Sequence, residues 1–402
     1  MKLLKGKYLL VLIAICGMAA ASMGMLTNVS GLFFSPIAEE LGIGRGSVSM
    51  TLTISNLVFA VGGMWAAKYL RSTNFRKLMI IGAVVFAGCT MLLAVCSSLI
   101  PLYLFNALRG FAAGVVGNVA VTMIITNWYY SSTGLITSIA MGCSGIAGAV
   151  FSPVLSAIIE KAGWRLAYVV DGAIILAMYL PAILLPIAFR AEDLDLELMG
   201  YTKTETTDTQ AAQNQEASGI NKTILLLTFG YAILVAFISS FPPHMPSVAT
   251  SFGFAAAIGS GMLSACLVAN TCGKLLFGAL ADKIGAKRSI ILYCIIFTAA
   301  ALLLLTVHVS GLMIPFAVLF GVVYTLPTVS LVLLCRDAFG TAQYSATYPK
   351  VSMVMSIVNA FGTSIIGYIY DWSGGYTISL IICAVIGVLA MLTAVTIYQK
   401  KK

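Results

Sequence analysis

Apolar stretches of about 20 residues recur along the whole chain, and they number twelve, the first over 8–37 and the last over 377–398. At 1.5 Å of rise per residue, each is long enough as a helix to cross a hydrocarbon layer about 30 Å thick. Continuous apolarity, without the alternation of a lipid-facing strand, selects helices over a barrel, because lipid supplies no partner for an open backbone. Composition agrees: 60% of the 402 residues are hydrophobic and 9% are charged, with a mean hydropathy of +1.00. The expected fold class is an all-α membrane protein with twelve transmembrane helices. The first apolar run is too long for a signal-peptide core and is expected to remain as the first helix.

Basic residues set the orientation, since cationic loops near helix ends resist translocation. With the N-terminus inside, seventeen Lys and Arg fall on the cytoplasmic side, against Arg45, Lys161 and Arg165 opposite. Both termini are thus expected in the cytoplasm of a multi-pass protein of the cell membrane. The formal net charge of +9 reports this topology and contact with an anionic leaflet; it gives no reason to expect a nucleic-acid partner. The single long polar segment, 190–221, divides the chain into six-helix halves, 1–189 and 222–402. Its second half, rich in Thr, Gln and Glu, reads as a flexible linker.

Two cations and one acid stand inside apolar spans. Lys274 lies in "VANTCGKLLFGALADKIGAKR" (268–288), about seven residues before frank polarity resumes at Asp282. Two readings fit it: a partner for an anion, or a lysine extending about 10 Å to the cytoplasmic interface. Arg109, in "NALRGFAAGVVG", binds cargo or braces helices through carbonyls. Asp171, the one acid clearly within a span, exchanges protons or faces water near the outer end. His244 sits among Pro242, Pro243 and Pro246, which interrupt a helix and free carbonyls; it lines a site or caps a helix mouth. Tyr324 lines a cavity or packs. The nine cysteines show no metal-like pairing, and no disulfide, metal or other cofactor is expected. With two histidines and no phosphate-binding loop, the chain does not read as an enzyme.

Two six-helix halves joined by a polar linker resemble the major facilitator superfamily over the full chain. "GALADKIGAKR" (278–288) resembles its loop signature, which implies close helix approach at Gly278 and a gating role for Asp282 beside Lys283 and Arg288. The first-half loop, "GMWAAKYLRSTNFRK", has Ala67 where that acid would fall. "GLFFSPIAEELGIGRGSVS" (31–49), "GLITSIAMGCSGIAGAVFSPVLSAIIEKAGWRLAY" (134–168) and "FGTSIIGYIYDWSGGY" (361–376) are similar to the monocarboxylate-porter and oxalate/formate-antiporter branch. That resemblance implies two pseudo-symmetric bundles giving alternating access to a central site. It also implies a small organic anion as cargo, of the lactate, pyruvate or formate kind, moved with protons or against a counter-anion. The branch places an arginine four residues before the signature Gly, where this chain has Lys274. Its proton-coupled members carry an acid one turn earlier, where Asn270 stands, and Asn28 is nearest the first-helix lysine of animal carriers. Substrate contacts are therefore expected from Lys274, Arg109, Asn28, Asn270 and Tyr324, and coupling or gating from Asp282, Lys283, Arg288, Asp171 and His244. A monomer is expected. The rival readings are a drug or metabolite efflux carrier, which would favour an acid-bearing aromatic cavity, and a non-transporting sensor.

Overall fold

The computed structural model describes residues 6–70, 74–129, 133–185, 188–194, 196, 198–199, 221–306 and 310–400. Among them are eleven helices long and apolar enough to cross a membrane. The longest, Ile136–Leu184, is broken at Gly163, whose φ of 82° and ψ of 165° leave the helical region. A positive φ of this kind suits glycine, which has no Cβ to clash. Its limbs, α5 (136–162) and α6 (164–184), are two of the twelve expected spans. The others are α1 (Lys7–Leu41), α2 (Arg45–Ala66), α3 (Phe75–Val95), α4 (Leu99–Trp128), α7 (Lys222–Ser251), α8 (Ala256–Ile284), α9 (Ala286–Leu305), α10 (Gly311–Gly340), α11 (Lys350–Ser373) and α12 (Thr377–Lys400).

The chain forms two compact units, Met1–Thr202 and Lys203–Lys402, each holding six spans. In the first, α2 crosses α4 so closely that a methyl at Gly114 would strike the Phe59 carbonyl. The second repeats this between α8 and α10, where a methyl at Gly321 would strike the Cys266 carbonyl. Lipid tails give no hydrophobic drive between helices, so small residues that let backbones touch supply the packing. Gly278, expected to allow such an approach, has open space where its Cβ would stand; along α8 the tight contact falls at Gly273, against Val322.

Helices α1, α4, α7 and α10 are interrupted. A π-helical stretch occupies Ala20–Asn28 of α1, Gly117 breaks α4, a 3-10 turn occupies Pro242–His244 of α7, and a π-helical stretch occupies Leu326–Ser330 of α10. Such irregular turns leave carbonyls without their helical partners, and inside a membrane they persist where side chains satisfy them.

The expected linker begins as part of the first unit. The Trp128 indole donates to the Ala188 carbonyl (3.0 Å), Ala191 N–H to the Asn127 carbonyl (3.3 Å), and Met199 N–H to the Trp128 carbonyl (2.9 Å). The remainder, 200–220, lies outside the described residues.

Gly321→Leu should lower thermal stability by about 1–3 kcal/mol through overpacking of α8 against α10. Gly88→Leu, at a position with open space, should leave it unchanged. Melting of the two detergent-purified variants against wild type checks this.

Candidate functional site

Arg109 is the central charged group of the first unit. It lies on α4 with 2% of its side chain exposed, and Asp171 on α6 is fully buried. One terminal nitrogen of the guanidinium donates to the Met25 carbonyl at 2.9 Å and faces the Asp171 carboxylate at 3.4 Å. Met25 belongs to the π-helical stretch of α1, so a single side chain joins α1, α4 and α6. Asp171 is therefore not the water-facing residue that its position near the outer end suggests. It is the one fully buried acid among the described residues, facing Arg109 of α4, while the adjacent Gly172 abuts Met91 and Ala87 of α3. The pair is incompletely satisfied: Arg109 Nε and Asp171 Oδ1 have no hydrogen-bond partner.

The same stretch of α1 is pinned twice more. Asn28 donates through Nδ2 to the Ser144 carbonyl of α5 (3.0 Å), and Thr27 bonds to Asn56 of α2 (3.3 Å). At the outer end, Glu40 receives the Trp164 indole N–H (2.5 Å) and pairs with Arg165. Phe33 stacks on Tyr168 with centroids 3.9 Å apart. These contacts lock the end of α1 to the turn at Gly163. Glu40, Met25 and Ser144 were not expected as contact residues; the one sequence signal was an acid at the end of α1 with Trp-Arg available to answer it.

In the second unit, Lys274 is partly buried, and among the described residues it has neither an ion pair nor a hydrogen bond. At about 100° per residue, it lies on the α8 face shared with Asn270 and Gly278. The apolar exposed residues Val268, Leu275 and Leu276 form another arc of that helix, the one suited to lipid. Asn270 Oδ1, one turn earlier, is also without a partner, as is Thr325 Oγ1, which lies beside Gly273. Tyr324 stands where α10 leaves the helical path, before the π-helical stretch. Asn270, Lys274 and Thr325 thus place uncommitted polar groups along neighbouring parts of α8 and α10.

His244 differs from its expected place at a helix mouth. It is fully buried, with Nε2 2.8 Å from the Thr363 carbonyl and Nδ1 3.1 Å from the Tyr376 hydroxyl. A carbonyl only accepts, so Nε2 carries a proton and donates to Thr363. The ring pins α7 to α11 as Asn28 pins α1 to α5. Asp282 is exposed near the end of α8, as are Lys283 and Arg288. Asp282 forms no ion pair with a basic residue among the described residues.

Arg109→Met should destabilise the protein by about 3–5 kcal/mol by leaving the Asp171 carboxylate buried and unpaired. Combining it with Asp171→Leu should recover most of that loss. Thermal melts of the single and double variants check the cycle.

The family model of the Major Facilitator Superfamily matches residues 12–209 and 227–402. An MFS-type transporter, pynF, of Aspergillus niger is 22% identical over 307 residues, 73% of this chain and 66% of that protein, so the chain spans just under two thirds of its length. The uncharacterized MFS-type transporter YcxA of Bacillus subtilis is 22% identical over 95% of this chain and 94% of its own. The oxalate:formate antiporter of Oxalobacter formigenes is 25% identical over 144 residues, 36% of this chain and 34% of that protein. Among solved structures, a mutant form of the nucleoside transporter NupG superposes with a TM-score of 0.73 at 11% identity, covering 96% of this chain and all of that one. Its identity is too low to convey more than the fold. With the family model covering nearly the whole length and six spans in each unit, the chain belongs to the Major Facilitator Superfamily.

Proposed function

We propose that this transporter moves a small organic anion, a monocarboxylate of the lactate, pyruvate or formate kind, by alternating access. The observation that carries the reading is Lys274, a cation within a membrane-spanning helix that has no anionic partner among the described residues. Placing a lysine at a helix centre costs about 2.5–3.5 kcal/mol on insertion scales, and a cargo carboxylate would offset that cost while regaining the partner it loses with its hydration. Asn270 and Tyr324 of the second unit are proposed to contact cargo beside Lys274; Arg109 and Asn28 of the first unit are proposed as further substrate contacts. The similarity to an oxalate:formate antiporter over part of the chain supports an anionic cargo. In this reading Asp282, with Lys283 and Arg288, serves a gate, and His244 holds α7 to α11 through the cycle.

Uptake by proteoliposomes, screened with labelled lactate, pyruvate, formate and oxalate, provides the test. At matched protein levels, Lys274→Gln should weaken affinity for the transported acid about tenfold to a hundredfold, the loss of a charge-assisted contact worth about 1.5–3 kcal/mol. Lys274→Arg should keep more of it, with altered preference among acids. Wild-type kinetics in Lys274→Gln would mean that the lysine only reaches for the interface.

The distribution of basic residues supports both termini and 190–221 on the cytoplasmic side of the cell membrane. Protease added outside intact cells should leave 195–215 uncut; cleavage there would reverse the orientation.

A further inference from the structure

Cys16 and Cys143 stand far apart in the sequence, and the fold of the first unit brings them together. Cys16 lies on α1 one turn before the π-helical stretch, and Cys143 lies on α5. Their side chains are within hydrogen-bonding reach of each other. The seam between the two helices is tight. Asn28 donates to the carbonyl of Ser144, the residue after Cys143, and a methyl at Gly24 would strike that carbonyl and Ala147. Among the described residues no other two thiols meet in this way.

Both thiols are half-buried, so a small molecule can reach them. Ile13, one turn before Cys16, and Ile139 and Ile146, one turn to either side of Cys143, are exposed, and the space beside Gly142 is open. No third His, Cys, Asp or Glu joins the two thiols among the described residues. Tyr129, near Cys16, donates its hydroxyl to the Tyr8 carbonyl.

Ligand number, charge and reach restrict what two such thiols can hold. A zinc ion would lack half of its four ligands. Net charge inside a span is costly, so the thiols and their ligand must be neutral together; a monovalent soft cation between two thiolates leaves one negative charge. A direct sulfur–sulfur bond would draw the helices closer than hydrogen-bonded thiols stand. One bridging atom, bonded to each sulfur at about 2.3 Å on the scale of thiolate ligands, spans that gap through bent bonds. A mercuric ion is neutral with two thiolates but holds them in line, which would force the helices apart. A trivalent arsenic centre is soft, pyramidal and uncharged when two thiolates replace its two hydroxyls.

We propose that Cys16 and Cys143 form a dithiol site for monosubstituted trivalent arsenicals, and that occupancy ties α1 to α5 one turn before the π-helical stretch. The step is a condensation. Two arsenic–oxygen bonds break, two arsenic–sulfur bonds form, and each thiol proton leaves with a hydroxyl as water. Arsenic stays trivalent, no electrons are transferred, and no charge is created within the span. The site is independent of the anion reading.

Phenylarsonous acid is the probe, applied to the detergent-purified protein, with alkylation of each cysteine followed by mass spectrometry of its peptide. One equivalent should protect Cys16 and Cys143 together, while the exposed Cys272 alkylates at the same rate with and without it. A small dithiol should release the probe, and a monothiol at the same thiol concentration should not. Cys16→Ser and Cys143→Ser should each weaken binding at least about a hundredfold, the loss of a second attachment, whereas Cys272→Ser should bind as wild type does. Wild-type affinity in either of the first two variants would overturn the proposal. Protection is measured on the wild type alone, so it decides even if a serine variant fails to fold: unchanged alkylation of Cys16 or of Cys143 in the presence of the probe is the contrary result.

Discussion

The guanidinium of Arg109 bonds a carbonyl of α1 and faces a carboxylate of α6 from its own place on α4, and the organisation of the first unit depends on it. In hydrocarbon an irregular turn survives when its freed carbonyls find donors. The π-helical stretch of α1 meets this condition through Arg109 at Met25, and its end is tied through Asn28 to α5. The same irregularity brings Phe33 and Glu40 to the turn at Gly163, where Tyr168, Trp164 and Arg165 receive them. The interruption of α1 and the ion pair at its centre are two aspects of one arrangement.

The second unit repeats the plan with different chemistry. Its closest seam, α8 on α10, corresponds in order to α2 on α4, and α7 is interrupted and pinned to α11 as α1 is to α5. Where the first unit uses an amide on a carbonyl, the second uses an imidazole between the Thr363 carbonyl and the Tyr376 hydroxyl. The difference that matters for function is charge. The first unit encloses a cation together with its counter-ion, whereas the second holds Lys274 without one among the described residues.

Much of the fold was legible in the sequence because lipid imposes long apolar runs. The twelve spans follow from that solvent, and the break at Gly163 falls at the Gly-Trp-Arg turn that the family resemblance marked. What was illegible is rotation about each helix axis. Where every face of a span is apolar, periodicity does not say which residues point inward, so Asp171 reads as a residue near the outer end although it is fully buried against Arg109. The bond from Glu40 to Trp164 joins residues 124 positions apart, each on a stretch that stood out alone, yet nothing in either stretch names the other. The start of the linker, held by Trp128 through Met199, reads as loop because its order comes from backbone bonds that its side chains do not announce. Lys274 was conspicuous for the opposite reason: a charge in an apolar run needs a cause whichever way the helix turns.

The central claim is that the cargo is recognised by its negative charge. Competition binding with the detergent-purified protein tests it most directly, setting the labelled acid that binds best against its unlabelled form and against the neutral amide of the same shape, as lactate against lactamide. The account predicts that the acid competes at least about tenfold more tightly than the amide, the margin of one charge-assisted contact. Equal competition by acid and amide would show that the protein reads shape without charge, and would contradict the account.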